Sequence, residues 1–512
     1  MRGPSASTGK RVRISADQLA AGGPVATEVS GRALVVARRP GGAWVALDGH
    51  CPHAGAPLAA GLVLGDCLAC PRHHAKFRLG DGAAVGGPTL NGLQRYACRP
   101  DGDGLIVTDA PLAPVGRPGS AASLRRIVLV GGGAASLGAA AELRRMGYSG
   151  RITVVGDDAD GFYDRTKLSK GALAASPRRA DVALDVDPLG LDCRWGWRVE
   201  RLDLARRTVV ARRCSEVAEL SFDACLLATG ASPRREVMPG ASDPRVVTLR
   251  GLEDARRLDR QLSVGGEAVL IGGSFIALEL AAALRGRGTR AKVVAPTATP
   301  LAHLIGAPMG RWLADLHQSR GVEWFAGRRA TAIAPDAVLL EGGGRVSCRG
   351  PVILAVGVIP NVALAEEAGL RVGDGIRVDS DMRTSDPRVL AAGDVAHVEG
   401  PDGWGRVEHW SVALWQGRRA ARTMVGALPV RHPPPFFWTR QFDQTLTYVG
   451  AAAKGAEVES FGNPAAGSAA ALLWSEGRPL GVAAVGRAHD SLRAEARLAE
   501  RRFWELREVL AS

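Results

Sequence analysis

The sequence predicts a multidomain chain with an N-terminal all-β unit, an α/β region built on two strand–glycine–helix units, and a small C-terminal α/β unit. Three observations predict it. The chain has 512 residues, too many for one hydrophobic core, so ~3 to 4 domains are expected. The first part reads as short strand-like runs, "RALVVARR", "AWVALD" and "GLIVTD", separated by Gly-rich turns. Further on, "LRRIVLVGGGAASLGAAAELRRMG" and "EAVLIGGSFIALELAAALRGRGTRAKVVAP" each lead an apolar strand into glycines and then into an amphipathic Ala/Leu helix.

Composition narrows the class. Hydrophobic residues are 46% and charged residues 23% of the chain, as in ordinary globular proteins. The net charge of +13 is carried mostly by Arg, spread singly and in pairs such as Arg125-Arg126 and Arg212-Arg213. No aromatic-interleaved basic stripe accompanies it, so no nucleic-acid partner is expected; a basic face still suits an acidic protein partner. The opening "MRGPSASTGKRVRIS" has no apolar core, and no uncharged apolar run reaches the ~18 residues of a membrane span. Eight scattered cysteines suit a reducing cytosol, so the expected location is cytoplasmic.

The stretch "HCPHAGAPLAAGLVLGDCLACPRHHAKF", His50 to Phe77, concentrates Cys and His at its two ends. Cys51-x-His53 and Cys70-x-x-His73 offer two thiolates and two imidazoles from two loops, a donor set for zinc or for iron in a mixed-ligand cluster. "CPHAGAPL" and "CPRHHAKF" resemble the Rieske ferredoxin motif. The resemblance implies a [2Fe–2S] centre in which Cys51 and Cys70 hold one iron and His53 and His73 the other. It selects His73 over the adjacent His74 and makes Cys67 a strand residue. The disulfide clamp of high-potential Rieske proteins is absent, its positions being Ala56 and Arg72. A structural zinc site is the alternative for the same four residues.

After the linker "APLAPVGRPGSAAS" comes the first strand–glycine–helix unit. Strand Ile127 to Val130 runs into a turn that brings a pyrophosphate onto a helix N-terminus. Gly131 permits the tight turn, Gly133 the close backbone approach, and Ser136 stands where a third glycine is usual. Asp157, after the next strand, is the candidate for the ribose hydroxyls. In the second unit Gly272, Gly273 and Ser274 follow the strand, with Ser274 and Ala277 replacing the second and third glycines. Two such units suggest two nucleotides on one chain.

With "LLATGASPR" (Ala228, Thr229 and Gly230 within it) and "TSDPRVLAAGDVA" (Gly393 and Asp394), the pattern resembles the FAD-dependent pyridine nucleotide oxidoreductase superfamily. "DGFYDRTKLSKGAL" lacks the Cys pair of disulfide reductases and resembles the "Y-x-R-x-x-L-S-K" segment of oxygenase-coupled ferredoxin reductases; "RVEHWSVALWQG" and "PPFFWTRQFDQTLTYVG" match the same group. With a Rieske unit in front, the whole chain resembles the apoptosis-inducing-factor-3-like proteins. The resemblance implies that Asp394 holds the flavin ribityl chain and Arg165 the flavin phosphates. It places Lys170 beside the isoalloxazine, Glu279 near the nicotinamide and paired with Lys170, and Trp410 at the flavin edge. Glu408 and His409 support the site rather than exchange protons, and Trp438 suits either the flavin pocket or a sheet core.

The expected organisation is a Rieske domain over 8–110, a linker over 111–123, an FAD domain in two segments (124–245 and 367–430), an NAD(P) domain over 246–366 and a C-terminal α/β domain over 431–512. The expected function is an oxidoreductase that takes a hydride from NAD(P)H onto FAD and hands single electrons through the [2Fe–2S] cluster to a one-electron acceptor protein, acidic if the basic face steers it. The alternative is an NADH-responsive binding module with slow turnover. Homodimers are compatible with either. At the end of the second strand of the NAD(P) unit Ala295 replaces the usual acid, with Thr297, Arg290 and Lys292 close in sequence. The resemblance favours NADH, and the missing acid favours tolerance of NADPH.

Overall fold

A computed structural model describes residues 10–20, 22–113, 124–174, 176–235, 238–262, 265–400, 405–429, 433–451 and 455–511. The chain forms two compact units. One comprises residues 1–118 together with 487–512, the other residues 119–486.

The first unit is built on a six-stranded antiparallel sheet, with strand Arg11–Ile14 at one edge and Val25–Val29 at the other, and a separate four-stranded sheet over residues 62–86. The Val/Leu/Ala strands alternate so that Leu34, Val36, Ala46, Leu105 and Val107 fill one core. A second core gathers Val35, Leu47, Leu58, Leu68, Phe77 and Leu79, with Cys51 and Cys70 among them. The two Cys/His loops lie beside this core. The first follows strand Trp44–Asp48, and the second is the tip of the hairpin between Cys67–Ala69 and Lys76–Arg78.

The second unit contains two parallel sheets. The first orders Asp192–Trp195, Arg151–Gly156, Arg126–Val130, Ala224–Leu227 and Val389–Ala391. Strand Val389–Ala391 pairs with Ala224–Leu227 across the whole intervening region, so this sheet is assembled from two segments. The second orders Val246–Val247, Val352–Leu354, Glu267–Ile271, Arg290–Ala295 and Glu323–Ala326. After a charged first residue, Arg126 or Glu267, the two central strands are apolar and buried, as strands inside a parallel sheet are. Each feeds a 12-residue helix, Ala134–Arg145 or Phe275–Gly286, across a glycine turn. A five-stranded antiparallel sheet over residues 436–485 completes the unit.

The C-terminal stretch differs from expectation. Of residues 431–512, only those up to 486 belong with the second unit, and Arg487–Ser512 joins the first unit. Helix Ala488–Glu500 buries Leu492 and Ala494, and Leu506 and Leu510 follow them inward. The chain therefore passes between the units twice, whereas the sequence predicts one linker; most of that linker, residues 114–123, lies outside the described residues.

Candidate functional site

In the first unit the four predicted ligands meet as two pairs. The His53 and His73 Nδ1 atoms lie 2.9 Å apart, and their rings meet edge-on with centroids 4.7 Å apart. Two imidazole nitrogens bonded to one ion at about 2.0–2.1 Å come close to this spacing. The Cys51 and Cys70 thiols share a hydrogen bond. That bond pulls Cys70 down from its ordinary value, helped by the backbone N–H groups of Arg72 and His73, and pushes Cys51 up, as burial does too. Among the described residues no three His, Cys, Asp or Glu side chains gather as they would around one metal ion. A pair of thiols and a pair of imidazoles suits a two-iron cluster with divided ligands and not one tetrahedral zinc.

His74, at φ +55°, engages a different residue from His73: its Nδ1 lies 2.7 Å from Glu495 Oε2. Cys67 is a half-buried strand residue with no disulfide, and all eight cysteines are free. Ala56 is buried and Arg72 exposed.

In the second unit the first glycine turn forms a cradle. Gly131 has φ +113°, and a Cβ there would meet the Ala228 carbonyl oxygen at 2.2 Å, so only glycine fits. A Cβ at Gly133 would meet nothing within 4 Å, and Gly133 caps the helix with no side-chain hydrogen bond. Ser136 is fully buried and its Oγ has no partner. Gly393 donates its N–H to Gln416 Oε1 at 2.7 Å, and Asp394 pairs with Arg250 at 2.6 Å. Burial, and then the like charge of Arg250, push the Arg165 guanidinium below its ordinary value. Arg250 Nε and His409 Nδ1 are buried without partners. An open helix N-terminus, two neighbouring arginines and orphaned polar atoms fit a dinucleotide with a pyrophosphate. Thr229 and Asn361 exchange hydrogen bonds of 2.8 Å, which fixes the loop carrying Ala228 and Gly230.

The predicted Lys170–Glu279 pair is present at 3.0 Å. Glu279 lies buried on helix Phe275–Gly286 and also accepts hydrogen bonds from Ser169 Oγ and, at 2.6 Å, from Thr439 Oγ1. The Lys170 ammonium stands over the Trp438 ring, 4.7 Å from its centroid. Burial pushes the His409 imidazole down to about 4, and its ring packs on Phe437 at 4.8 Å. Trp410 opens helix Trp410–Met424, half-buried. Glu408 is exposed and pairs with Arg406. Asp157 is exposed and pairs with Arg198 at 3.4 Å.

In the second glycine turn Gly272 has φ +122°, and Ser274 caps the helix by accepting from Ala277 N–H while donating to the Ala355 carbonyl at 3.2 Å. Ser274 in place of glycine is thus a helix cap. A Cβ at Gly273 would lie 3.2 Å from Ala295 Cβ and 3.8 Å from Thr297 Oγ1, so both residues border this turn. The bases named with them do not. Lys292 is buried and donates to Glu267 at 2.8 Å and to the Ser347 carbonyl at 2.7 Å; Arg290 pairs with Glu267 at 3.7 Å. Arg290 starts the strand that Ala295 ends, and a strand rises about 3.3 Å per residue, so it lies far from the nucleotide end.

Ser169, Thr439, Arg250 and Glu495 escaped the sequence reading. Ser169 and Thr439 sit inside motifs quoted for their neighbours. Arg250 and Glu495 carry no local signal, since their partners stand 144 and 421 residues away.

These two units define a flavoprotein reductase with two nucleotide sites, joined to a cluster-binding β unit. Residues 125–417 match the pyridine nucleotide-disulphide oxidoreductase family and residues 11–97 the Rieske [2Fe-2S] domain. The chain belongs to the pyridine nucleotide-disulphide oxidoreductase family, as an NAD(P)H-dependent FAD oxidoreductase of the ferredoxin reductase kind with a Rieske domain at its N-terminal side. It is 33% identical over 372 residues to the probable ferredoxin reductase CtmF of Castellaniella defragrans, covering 70% of this chain and 90% of that protein. Over 447 residues it is 29% identical to apoptosis-inducing factor 3 of Mus musculus, covering 82% of this chain and 72% of that one. The putidaredoxin reductase–putidaredoxin covalent complex matches with a TM-score of 0.69 and 29% identity, covering 74% of this chain and 93% of that one.

Proposed function

We propose that this chain passes electrons from NAD(P)H through FAD to its own Rieske cluster and on to a separate one-electron acceptor protein. The observation that carries the reading is the sorting of four ligands into a thiol pair and an imidazole pair on a chain that also holds two glycine-turn nucleotide units. Bound FAD supplies the step from a two-electron hydride to single electrons, and the cluster supplies a one-electron station.

The protein's own residues bind and position. Gly131, Gly133 and Ser136 line the pyrophosphate cradle, with Arg165 as the cation and Asp157 on the adenosine ribose. Ala228, Thr229 and Gly230 form the facing loop, and Gly393 and Asp394 hold the ribityl side. Gly272 and Ser274 shape the NAD(P) turn. Lys170, oriented by Glu279, stands at the flavin with Trp410 at its edge. His409 stays neutral and fills space beside Asp394, and Glu408 supports the loop from outside. Hydride transfer needs placement more than proton exchange, which suits a site whose carboxylate is already satisfied by three donors.

The same reading gives the acceptor an acidic face complementary to the net charge of +13, and places the protein in the cytoplasm, where free thiols persist. No described helix is long and apolar enough to cross a membrane.

NADH is the preferred donor. Ala295 offers no charge to repel a 2′-phosphate, and both strand bases are engaged with Glu267. Discrimination is therefore weak, within ~30-fold in kcat/KM, or about 2 kcal/mol. Ala295→Glu should sharpen the preference by slowing NADPH specifically in steady-state assays. A parent protein that already rejects NADPH ~1,000-fold, about 4 kcal/mol, would place the ribose contact elsewhere.

Rapid mixing with excess NADH tests the function itself. Flavin absorbance should fall before cluster absorbance, with multiple turnovers once a one-electron acceptor is added. A reduced flavin that persists as a charge-transfer complex, without turnover, would instead favour the NADH-responsive binding module.

A further inference from the structure

The C-terminal helix Ala488–Glu500 reaches the cluster unit at two points. His489 Nε2 lies 2.7 Å from the carbonyl of Ala60, at the end of the first cluster loop's 3-10 turn. Glu495, 4% exposed, grips the second loop, with Oε2 against His74 Nδ1 at 2.7 Å and Oε1 accepting from Lys76 Nζ at 2.8 Å. His74 sits at φ +55°, in the left-handed region that is unfavourable for a residue with a Cβ. Its backbone N–H donates to the Cys70 carbonyl at 3.1 Å, and the Cys70 N–H donates to the Ala75 carbonyl at 2.8 Å, so this strained turn carries both ligands of the loop. The two consecutive histidines are thereby divided, His73 toward His53 and His74 toward Glu495.

Glu495 is a buried charge. Burial raises its pKa, but the charge of Lys76 and the hydrogen bond and charge of His74 outweigh this and hold it at about 2. A buried carboxylate paired with one ammonium contributes strongly to the local potential, because little water screens it.

We propose that Glu495 is a positioning residue for the Rieske cluster: by gripping His74 and Lys76 it locks the second ligand loop in its strained turn, and its fixed negative charge lowers the cluster's reduction potential. Net charge and hydrogen bonding near the cluster are the established means of setting such potentials. Lys76 acts in the opposite sense. The last residues of the chain thus tune the electron carrier built from its first hundred.

The test uses full-length holoprotein carrying Glu495→Gln or Lys76→Met. Iron, sulfide and FAD are assayed, and the cluster is titrated anaerobically by electron paramagnetic resonance. Glu495→Gln should shift the one-electron reduction equilibrium toward the reduced cluster by about tenfold, or about 59 mV upward. Lys76→Met should shift it downward, and neither should alter the flavin potential. A Glu495→Gln equilibrium within about twofold of the parent, or both variants moving the same way, would overturn the charge role. If Glu495→Gln loses iron while FAD remains, the positioning role stands, and the direction of the Lys76→Met shift still decides the charge role.

Discussion

Cys70→Ser should leave a protein with FAD bound in full and no iron–sulfur cluster, a complete loss at one centre and none at the other. The expectation follows from the separation of the sites. Cys70 is 1% exposed in the core of the first unit, beside Cys51, whereas the pyrophosphate cradle and the Arg165, Arg250 and Asp394 group lie in the second unit. A serine hydroxyl is a poor substitute for a soft thiolate, so one iron loses half its protein ligands. His73→Ala should behave likewise, whereas His74→Ala should retain iron, because His74 faces Glu495. Metal analysis together with the flavin spectrum of each variant checks this. Iron loss in His74→Ala with retention in His73→Ala would reverse the ligand assignment.

Lys170→Met should slow flavin reduction by NADH about 100-fold while FAD remains bound, as expected when a positioning contact at the reacting pair is lost. Lys170 and Glu279 form an ion pair of 3.0 Å whose side chains are 17% and 5% exposed. Removing the ammonium leaves a buried carboxylate with two hydroxyl donors, and breaking such a pair from one side costs about 3–5 kcal/mol. The double variant Lys170→Met/Glu279→Leu should recover most of that stability, since an apolar pair of similar volume is often neutral, without recovering the rate. Single-turnover mixing and urea unfolding separate the two effects. A double variant that restores the rate would make the pair a structural brace with no part in the reaction.

Much of this architecture was legible in the sequence because its signals are local. The cluster loops announce themselves through Cys51-x-His53 and Cys70-x-x-His73, and each nucleotide unit through an apolar strand running into glycines. Those glycines face either steric limits, as Gly131 does against Ala228, or open space, as Gly133 does. The Lys170–Glu279 pair was legible only through resemblance, since no spacing rule joins residues 109 positions apart in different domains. What stayed hidden depends on long-range return of the chain. Residues 487–512 read as the end of a C-terminal α/β domain, because an amphipathic helix after a strand looks the same whichever core it serves; the structure gives that helix to the first unit. Arg290 and Lys292 lie close in sequence to the end of the nucleotide strand, but parallel pairing sets their partner Glu267 on the neighbouring strand. Arg250 had no sequence signal at all, although it is the partner of Asp394.

Electrons from NADH are expected to reach the Rieske cluster on the same chain. The most direct measurement is electron paramagnetic resonance on purified protein reduced with NADH alone under nitrogen, with iron and FAD quantified in the same sample. Two irons per FAD and a Rieske-type signal that appears on addition of NADH are expected. A bleached flavin with no such signal, or zinc in place of iron at the four ligands, would contradict this.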